Sequence, residues 1–209
     1  MNTPKNPWWE RLIRGLRWPA AIVSLLILPY LLLVWSYLLP QLFVYWIRTL
    51  AMVVGALVYW FGWRPWSKRM RIGDRAVSGE TMLTRGTVRW LTHCASEQSN
   101  WLVSISPYFV PTAAILLAIV AALIPIPLVP WSSLVLGFAL AYHARAIRVV
   151  YRTNPKEIRK LGWFWSALFL PGANLLALSI LLAMGLEGVE LVSKVFSQAF
   201  GFLTTRYFS

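Results

Sequence analysis

The chain has 209 residues, of which 58% are hydrophobic and 13% are charged, and its formal net charge is +13. Soluble globular domains carry about 25% charged residues. This composition, with a mean hydropathy of +0.61, therefore excludes an ordinary soluble domain and a disordered chain. The single Cys excludes a disulfide framework and any metal site built from several thiolates. We predict one all-α membrane domain.

The first 19 residues form a basic amphipathic arm in which Arg11, Arg14 and Arg17 recur at helical spacing. We expect these guanidinium groups to lie against anionic phospholipid headgroups at the membrane surface. The apolar stretch that follows the arm is too long for the core of a secretory signal, so we expect no cleavage there.

Five segments are long enough to cross a hydrocarbon core of about 30 Å, which takes about 20 helical residues. They are residues 20–39, 41–62, 101–123, 131–150 and 162–186. Only Pro40 and Gln41 separate the first two, so residues 20–62 form either a tight transmembrane hairpin or one span with a re-entrant piece. Prolines inside the spans predict helix kinks, and these are Pro29, Pro107, Pro111 and Pro171.

A polar loop at residues 63–100 separates the first two spans from the three that lie within residues 101–186. In this loop, residues 80–84 and 87–91 flank the pair Arg85-Gly86. Two short runs around such a pair predict a small β-hairpin in a loop that we place in the cytoplasm.

The same loop contains the sequence HCASE at residues 93–97. On a helix His93 and Glu97 would share one face, a spacing that chelates a metal when Cys94 or the distant His143 supplies a third ligand. The alternative is an ordinary interfacial loop, because two ligands alone rarely hold a transition metal. We predict neither a metal nor any other cofactor.

Three polar residues in or beside the spans are candidates for binding. Arg48 is the one charge well inside a predicted span, so it either contacts a backbone carbonyl, a polar side chain or a separate chain, or extends to the membrane surface. His143 lies near the end of the fourth span and either senses pH or binds an anion, or is an ordinary helix-end residue. Asn174 follows Pro171, and we expect it to serve helix packing rather than catalysis.

Charge predicts the orientation of the spans. All but three of the 20 Lys and Arg residues lie at residues 5–17, 64–89 and 145–160, and the exceptions are Arg48, Lys194 and Arg206. By the positive-inside rule these three segments face the cytoplasm, which predicts a bacterial inner membrane protein with a cytoplasmic N-terminus and an external C-terminus. Anionic lipid explains the positive charge without nucleic acid. Eight of the 13 Trp lie at or near the ends of the spans, as in an interfacial belt, and they are Trp18, Trp60, Trp63, Trp66, Trp101, Trp131, Trp163 and Trp165.

Residues 187–209 predict an amphipathic helix that lies on the outer membrane surface or packs on a partner. Its apolar face would consist of Val189, Val192, Phe196, Ala199 and Leu203.

Two stretches, residues 100–111 (NWLVSISPYFVP) and 141–176, resemble segments of site-2-protease-like (M50-type) membrane metalloproteases. In that family a similar Ala/Ser-Pro-Tyr-Phe-x-Pro opens one span, and a charged stretch leads into a last span with a similar Leu-Pro-x-Ala-Asn-Leu. The family's zinc site needs His-Glu-x-x-His ahead of the polar loop, but residues 49–57 contain neither His nor Glu, and no Asp follows Asp74. The resemblance therefore implies a non-catalytic relative, to which no active-site residue is transferred.

The sequence thus predicts a multi-pass membrane subunit or regulator that binds a membrane or cytoplasmic partner protein or a second copy of itself. The first alternative is a divergent membrane metallohydrolase or lipid-modifying enzyme that uses the region of His93 and Glu97. The second is a small channel or transporter component, although the spans contain no acidic residues and no repeated halves.

Overall fold

The computed structural model of the chain describes residues 7–65, 72–92, 101–122, 129–153, 159 and 162–207. Every regular element within these ranges is helical, which confirms the predicted all-α class for this part of the chain. The helices are α1 (Pro7–Gly15), α2 (Arg17–Val44), α3 (Trp46–Leu57, continued by a π-helical stretch, Val58–Trp63), α4 (Ile72–Leu91), α5 (Trp101–Ile105), α6 (Thr112–Ala122), α7 (Val129–Thr153), α8 (Trp163–Leu186) and α9 (Val189–Tyr207).

Among the helices of the described residues, three are long and apolar enough to cross a membrane: α2, α3 with its π-helical continuation, and α8. They correspond to the first, second and fifth predicted spans. The third predicted span is not one helix, because α5 passes into a 3₁₀ turn at Ser106–Tyr108 and α6 begins only after Pro111. Pro107 and Pro111 lack a backbone N–H and disfavour helix in the preceding residue, so two of them four residues apart divide the segment. The fourth predicted span lies within α7, which is not among the three membrane-crossing candidates.

The boundary between the first two spans is displaced from the predicted turn at Pro40 and Gln41. Helix α2 continues through Pro40 to Val44 and is interrupted at Tyr45. With 28 residues α2 is about 42 Å long, and so it extends beyond a hydrocarbon core of about 30 Å. The Thr49 hydroxyl bridges the interruption by donating a hydrogen bond to the Leu42 carbonyl at 2.8 Å.

The predicted β-hairpin at residues 80–91 is wrong, since these residues belong to helix α4. Thr84 and Val88 are both buried and lie one helical turn apart, which is the periodicity of a helix and not of a strand. The Thr87 hydroxyl bonds to the carbonyl of Leu83, and that of Thr92 bonds to Val88, as threonines do on helices.

Helices α2 and α8 run parallel to each other. At one end of the pair, the Trp165 indole N–H donates to the Arg17 carbonyl at 2.7 Å. At the other end, Leu38 and Leu186 belong to one buried cluster. We call these the N-terminal end and the distal end of the bundle. Helix α7 runs antiparallel to α8, because the Ser133 hydroxyl near its start donates to the carbonyl of Gly185 at 2.7 Å.

Helices α3 and α7 are in backbone contact at Gly55 and Gly137. A Cβ atom at Gly55 would lie within 3.0 Å of the Leu134 carbonyl, and a Cβ atom at Gly137 would lie within 3.0 Å of the Met52 carbonyl. Small residues permit such close approach between membrane helices, so these two glycines define the crossing.

A cluster of aromatic side chains closes the N-terminal end. Trp165 stacks on Phe169 with ring centroids 5.1 Å apart, and Trp101 packs edge-on against Trp165 at 5.0 Å. The indole N–H of Trp101 donates to the Ile13 carbonyl of α1 at 2.7 Å. Trp101 and Trp165 are therefore buried core residues, whereas the interfacial-belt interpretation placed them at the membrane surface.

Helix α9 turns back after Gly188, which has a φ of +91° that favours glycine. One face of α9 is buried, since Leu191, Val195 and Ala199 pack against α2 and α8. The buried face is rotated from the predicted one, since Val189 is 63% exposed.

Candidate functional site

An apolar crevice lies between α2, α6 and α8, with a cavity volume of about 540 Å³. Small-molecule sites have volumes of about 300–1,000 Å³. Its wall on α8 extends from Phe169 to Met184, and Ile115 and Ile119 of α6 face it. Ser24 is the one polar side chain among its lining residues, and its hydroxyl donates to the Phe169 carbonyl at 2.7 Å. The crevice therefore suits a long apolar ligand.

Three local features of the sequence open this crevice. Gly172 lets α2 and α8 touch, since a Cβ atom there would collide with Ser24. Ala173 and Ala177 follow on α8 and fill little of the adjoining space. On the third side, α6 begins only after Pro111. The crevice is open laterally, where Val23 and Ile119 are 59% and 54% exposed.

The N-terminal end of the crevice leads to a guanidinium group. Phe169 lines the crevice, Trp165 stacks on Phe169, and the Cζ atom of Arg17 lies 5.1 Å from the centroid of a Trp165 ring. Arg17 thus makes a cation–π contact of the kind that orients Arg side chains. Its Nε atom has no hydrogen-bond partner within the part of the chain that the structure describes.

The three arginines of the predicted membrane-surface set have different surroundings. Arg11 and Arg14 are exposed on α1. Arg17 is half-buried and lies against Trp165, beyond the Phe169 end of the crevice. The helical spacing of the three residues gave no signal of this difference, because it depends on a residue 148 positions later in the chain.

Arg48 lies at the distal end of the bundle, where it donates a hydrogen bond to the Leu186 carbonyl. Leu186 is the last residue of α8, so Arg48 satisfies one of the carbonyls that a helix end leaves without an internal donor. Its guanidinium also lies 5.4 Å from the Tyr45 ring. Arg48 thus finds partners inside its own chain, and its charge does not by itself call for a separate protein.

Tyr45 is part of the same distal cluster. A hydrogen bond with Glu187, together with burial, raises the pKa of the Tyr45 phenol above its usual value near 10. The nearby positive charge of Arg48 acts in the opposite direction. A neutral phenol bonded to a carboxylate therefore joins the α2–α3 junction to the end of α8.

His143 is buried in α7 and is 6% exposed, far less than an ordinary helix-end residue in contact with water. Two residues further along α7, Arg145 donates to the Tyr59 hydroxyl at 3.4 Å. His93, Cys94 and Glu97 lie outside the described residues, so the predicted alternative of a metal at this cluster is not located. Within the described residues, no group of three potential metal-ligating side chains occurs.

Asn174 lies in the middle of α8, and its side-chain amide donates to the Leu170 carbonyl of the same helix at 2.9 Å. The bond stays within the turn that contains Pro171, where the proline removes one backbone hydrogen bond. Asn174 thus supports its own helix in the described structure.

No family model matches the chain, and no curated protein or solved structure matches it. The geometry of the crevice and of its neighbouring helices therefore carries the functional argument.

Proposed function

We propose that the chain is a multi-pass membrane protein without catalytic activity of its own, acting as a subunit or regulator that binds a partner protein within the membrane. The observation that supports this proposal most directly is the position of α9. The Tyr30 hydroxyl donates to the Phe196 carbonyl at 2.9 Å, and the two rings are in edge contact.

Tyr30 is the fourteenth of the 28 residues of α2 and so lies near its midpoint. If α2 crosses the membrane, Phe196 lies near the centre of the hydrocarbon core. Its bond to Tyr30 then brings α9 down along the bundle, away from the distal surface where we expected an amphipathic tail.

Part of the outward face of α9 is polar at that depth, although Phe200 is exposed on the same helix. The polar part carries the exposed side chains of Glu190, Ser193, Lys194, Ser197 and Gln198. A charged group in hydrocarbon is costly and usually faces another protein segment or a watery cavity. This face therefore favours a protein neighbour over lipid.

The spacing of the small residues on α9 indicates what kind of neighbour fits. Ser193, Ser197 and Gly201 recur every four residues, and a Cβ atom at Gly201 would meet nothing within 4 Å. Repeats of this type allow a second membrane helix to approach closely. The partner would present an acidic or polar group to Lys194.

The positive-inside pattern supports a cytoplasmic N-terminal end in a bacterial inner membrane. A parallel course of α9 and α7 would then return the described C-terminal residues towards the cytoplasmic side, in contrast to the external C-terminus inferred from five spans. The relationship to site-2-protease-like proteins stays a hypothesis.

Site-specific photo-crosslinking in native membranes tests the proposal. A photoreactive residue in place of Ser197 should crosslink to one discrete protein, whereas one in place of Ile22, which is 52% exposed on α2, should crosslink to lipid alone. A photoreactive residue in place of Lys194 should crosslink to the same protein. Combining it with Ser193→Leu and Ser197→Leu should abolish this crosslink while membrane insertion is retained. Lipid adducts alone at position 197 would refute the proposal.

A further inference from the structure

We propose that the crevice between α2, α6 and α8 binds one acyl chain of an anionic phospholipid whose phosphate pairs with Arg17. This inference is independent of the partner-binding function of α9, because it rests on a different cavity and a different end of the bundle.

The dimensions of the crevice match a lipid chain. Its wall on α8 runs from Phe169 to Met184, which is about 22 Å along a helix axis. One leaflet accounts for about half of a 30 Å hydrocarbon core. The crevice is thus long enough for the whole acyl chain of a lipid in the leaflet at the N-terminal end.

The chemistry of the lining also fits a saturated or unsaturated hydrocarbon chain. Ser24 is the one polar side chain among the lining residues, and its hydroxyl is already bonded to the Phe169 carbonyl. A ligand with polar groups along its length would lose its hydrogen bonds to water without gaining new ones here. The lateral opening past Val23 and Ile119 gives a membrane lipid direct access.

Charge at the N-terminal end specifies the headgroup. The path from the crevice to Arg17 consists of two stacked steps of 5.1 Å each, from Phe169 to Trp165 and from Trp165 to the guanidinium. The aromatic stack holds the guanidinium beyond the Phe169 end of the crevice, and guanidinium groups bind phosphate through paired hydrogen bonds. Charged Arg14 on α1 is exposed and has no described contact with the crevice, so it serves as a matched control.

Native mass spectrometry of the detergent-solubilised full chain measures this binding directly. The probes are dioleoyl phosphatidylglycerol, dioleoyl phosphatidylcholine and oleate, each titrated separately. We expect one tight phosphatidylglycerol per chain, bound about tenfold more strongly than phosphatidylcholine, because the choline cation offsets the attraction between the phosphate and the guanidinium. Arg17→Gln should remove that tenfold preference, while Arg17→Lys should retain part of it and Arg14→Gln all of it.

A second pair of variants tests the crevice itself. Ala177→Phe should lower the affinity for both phospholipids at least fivefold, because Ala177 lines the crevice. Leu178→Phe, at a neighbouring exposed position outside the lining, should leave both affinities unchanged. Circular dichroism and gel filtration of each variant identify losses that come from misfolding.

Three results would overturn the proposal. Equal effects of Arg14→Gln and Arg17→Gln would show general attraction to a basic surface. Unchanged binding by a folded Ala177→Phe variant would place the lipid elsewhere. Oleate that binds as tightly as phosphatidylglycerol would identify a free fatty acid, and not a phospholipid, as the ligand.

Discussion

The close crossing of α3 and α7 predicts that an added methyl group at either glycine of the crossing destabilises the protein. An alanine at Gly55 or Gly137 adds one methyl group that would lie within 3.0 Å of a backbone carbonyl on the other helix. A backbone atom cannot rotate out of the way as a side chain can, so the helices must separate. Overpacking of this kind costs about 1–3 kcal/mol, and the better helix propensity of Ala returns at most about 1 kcal/mol.

We therefore expect Gly55→Ala and Gly137→Ala each to lower the free energy of unfolding by about 1–2 kcal/mol. For a chain of this size that corresponds to a fall in Tm of roughly 2–8 °C. The assay is thermal unfolding in mild detergent, followed by the fluorescence of the 13 Trp. Gly62→Ala is the control on the same membrane-crossing helix, because a Cβ atom there would meet nothing within 4 Å.

The double variant distinguishes this reasoning from a general loss of glycine flexibility. Once the first methyl group has pushed the helices apart, the second has less to displace. The loss of unfolding free energy in Gly55→Ala/Gly137→Ala should therefore be smaller than the sum of the losses in the two single variants. Strictly additive losses, or a Gly62→Ala variant as unstable as Gly55→Ala, would refute a shared backbone contact.

Three further predictions concern single hydrogen bonds. Ser24→Ala should cost about 0.5–1.5 kcal/mol, because the Phe169 carbonyl loses its donor, and denaturant titration measures this. Arg48→Met should cost about 1–3 kcal/mol, because a carbonyl at the end of α8 loses its donor, and Tm should fall by several degrees. Tyr45 stabilises the fold while its phenol is protonated, since its folded pKa is raised by Glu187. That stability is fully present below pH 10 and is lost as pH rises through the raised pKa. Tyr45→Phe should therefore flatten the fall of Tm above pH 10.

Matched variants control the serine and tyrosine experiments. Ser36→Ala removes an exposed hydrogen bond within α2 and is the control for Ser24→Ala. Tyr37→Phe, on the same helix, removes another of the chain's eight tyrosines and is the control for Tyr45→Phe. Ser36→Ala should leave the unfolding free energy within about 0.5 kcal/mol of the parent, as surface substitutions usually do. A Tyr45→Phe variant with the parent's alkaline profile would contradict the role assigned to its phenol.

The long apolar segments were predictable because a long run of apolar residues favours a membrane-spanning helix whatever its neighbours are. The fifth span, predicted at residues 162–186, coincides with α8 to within one residue. The first span was predicted at residues 20–39, and α2 extends beyond this range at both ends. A helix can continue past the apolar residues because its backbone hydrogen bonds do not depend on hydrophobic side chains.

The segments that were predicted wrongly depend on interactions that a local pattern does not contain. Residues 80–91 carry threonines typical of strands, but burial of Thr84 and Val88 on one side makes them a helix. Residues 101–123 have the hydrophobicity of a span, but Pro107 and Pro111 interrupt it. In both segments, tertiary packing or backbone geometry outweighs composition.

The candidate site combines a predictable charge with an unpredictable cavity. Arg17 was predicted from the sequence to face lipid headgroups, but its contact with Trp165 joins segments 148 positions apart. The crevice needs Gly172, the small residues after it and the late start of α6 at Thr112, which come together only in the folded bundle. Small residues on a span predict close helix packing, but they do not indicate where packing leaves a gap.

The two proposed surfaces divide α2 between them. The crevice is lined from Ala20 to Ile27, in the half of α2 nearest the N-terminal end, and α9 packs from Tyr30 onwards in the distal half. In the part of the chain that the structure describes, Arg17 and Ser197 have no contact in common, so variants of the two should combine additively. A lipid affinity that changes when the partner face is altered would mean that α2 couples the two surfaces. The chain would then sense lipid on behalf of its partner.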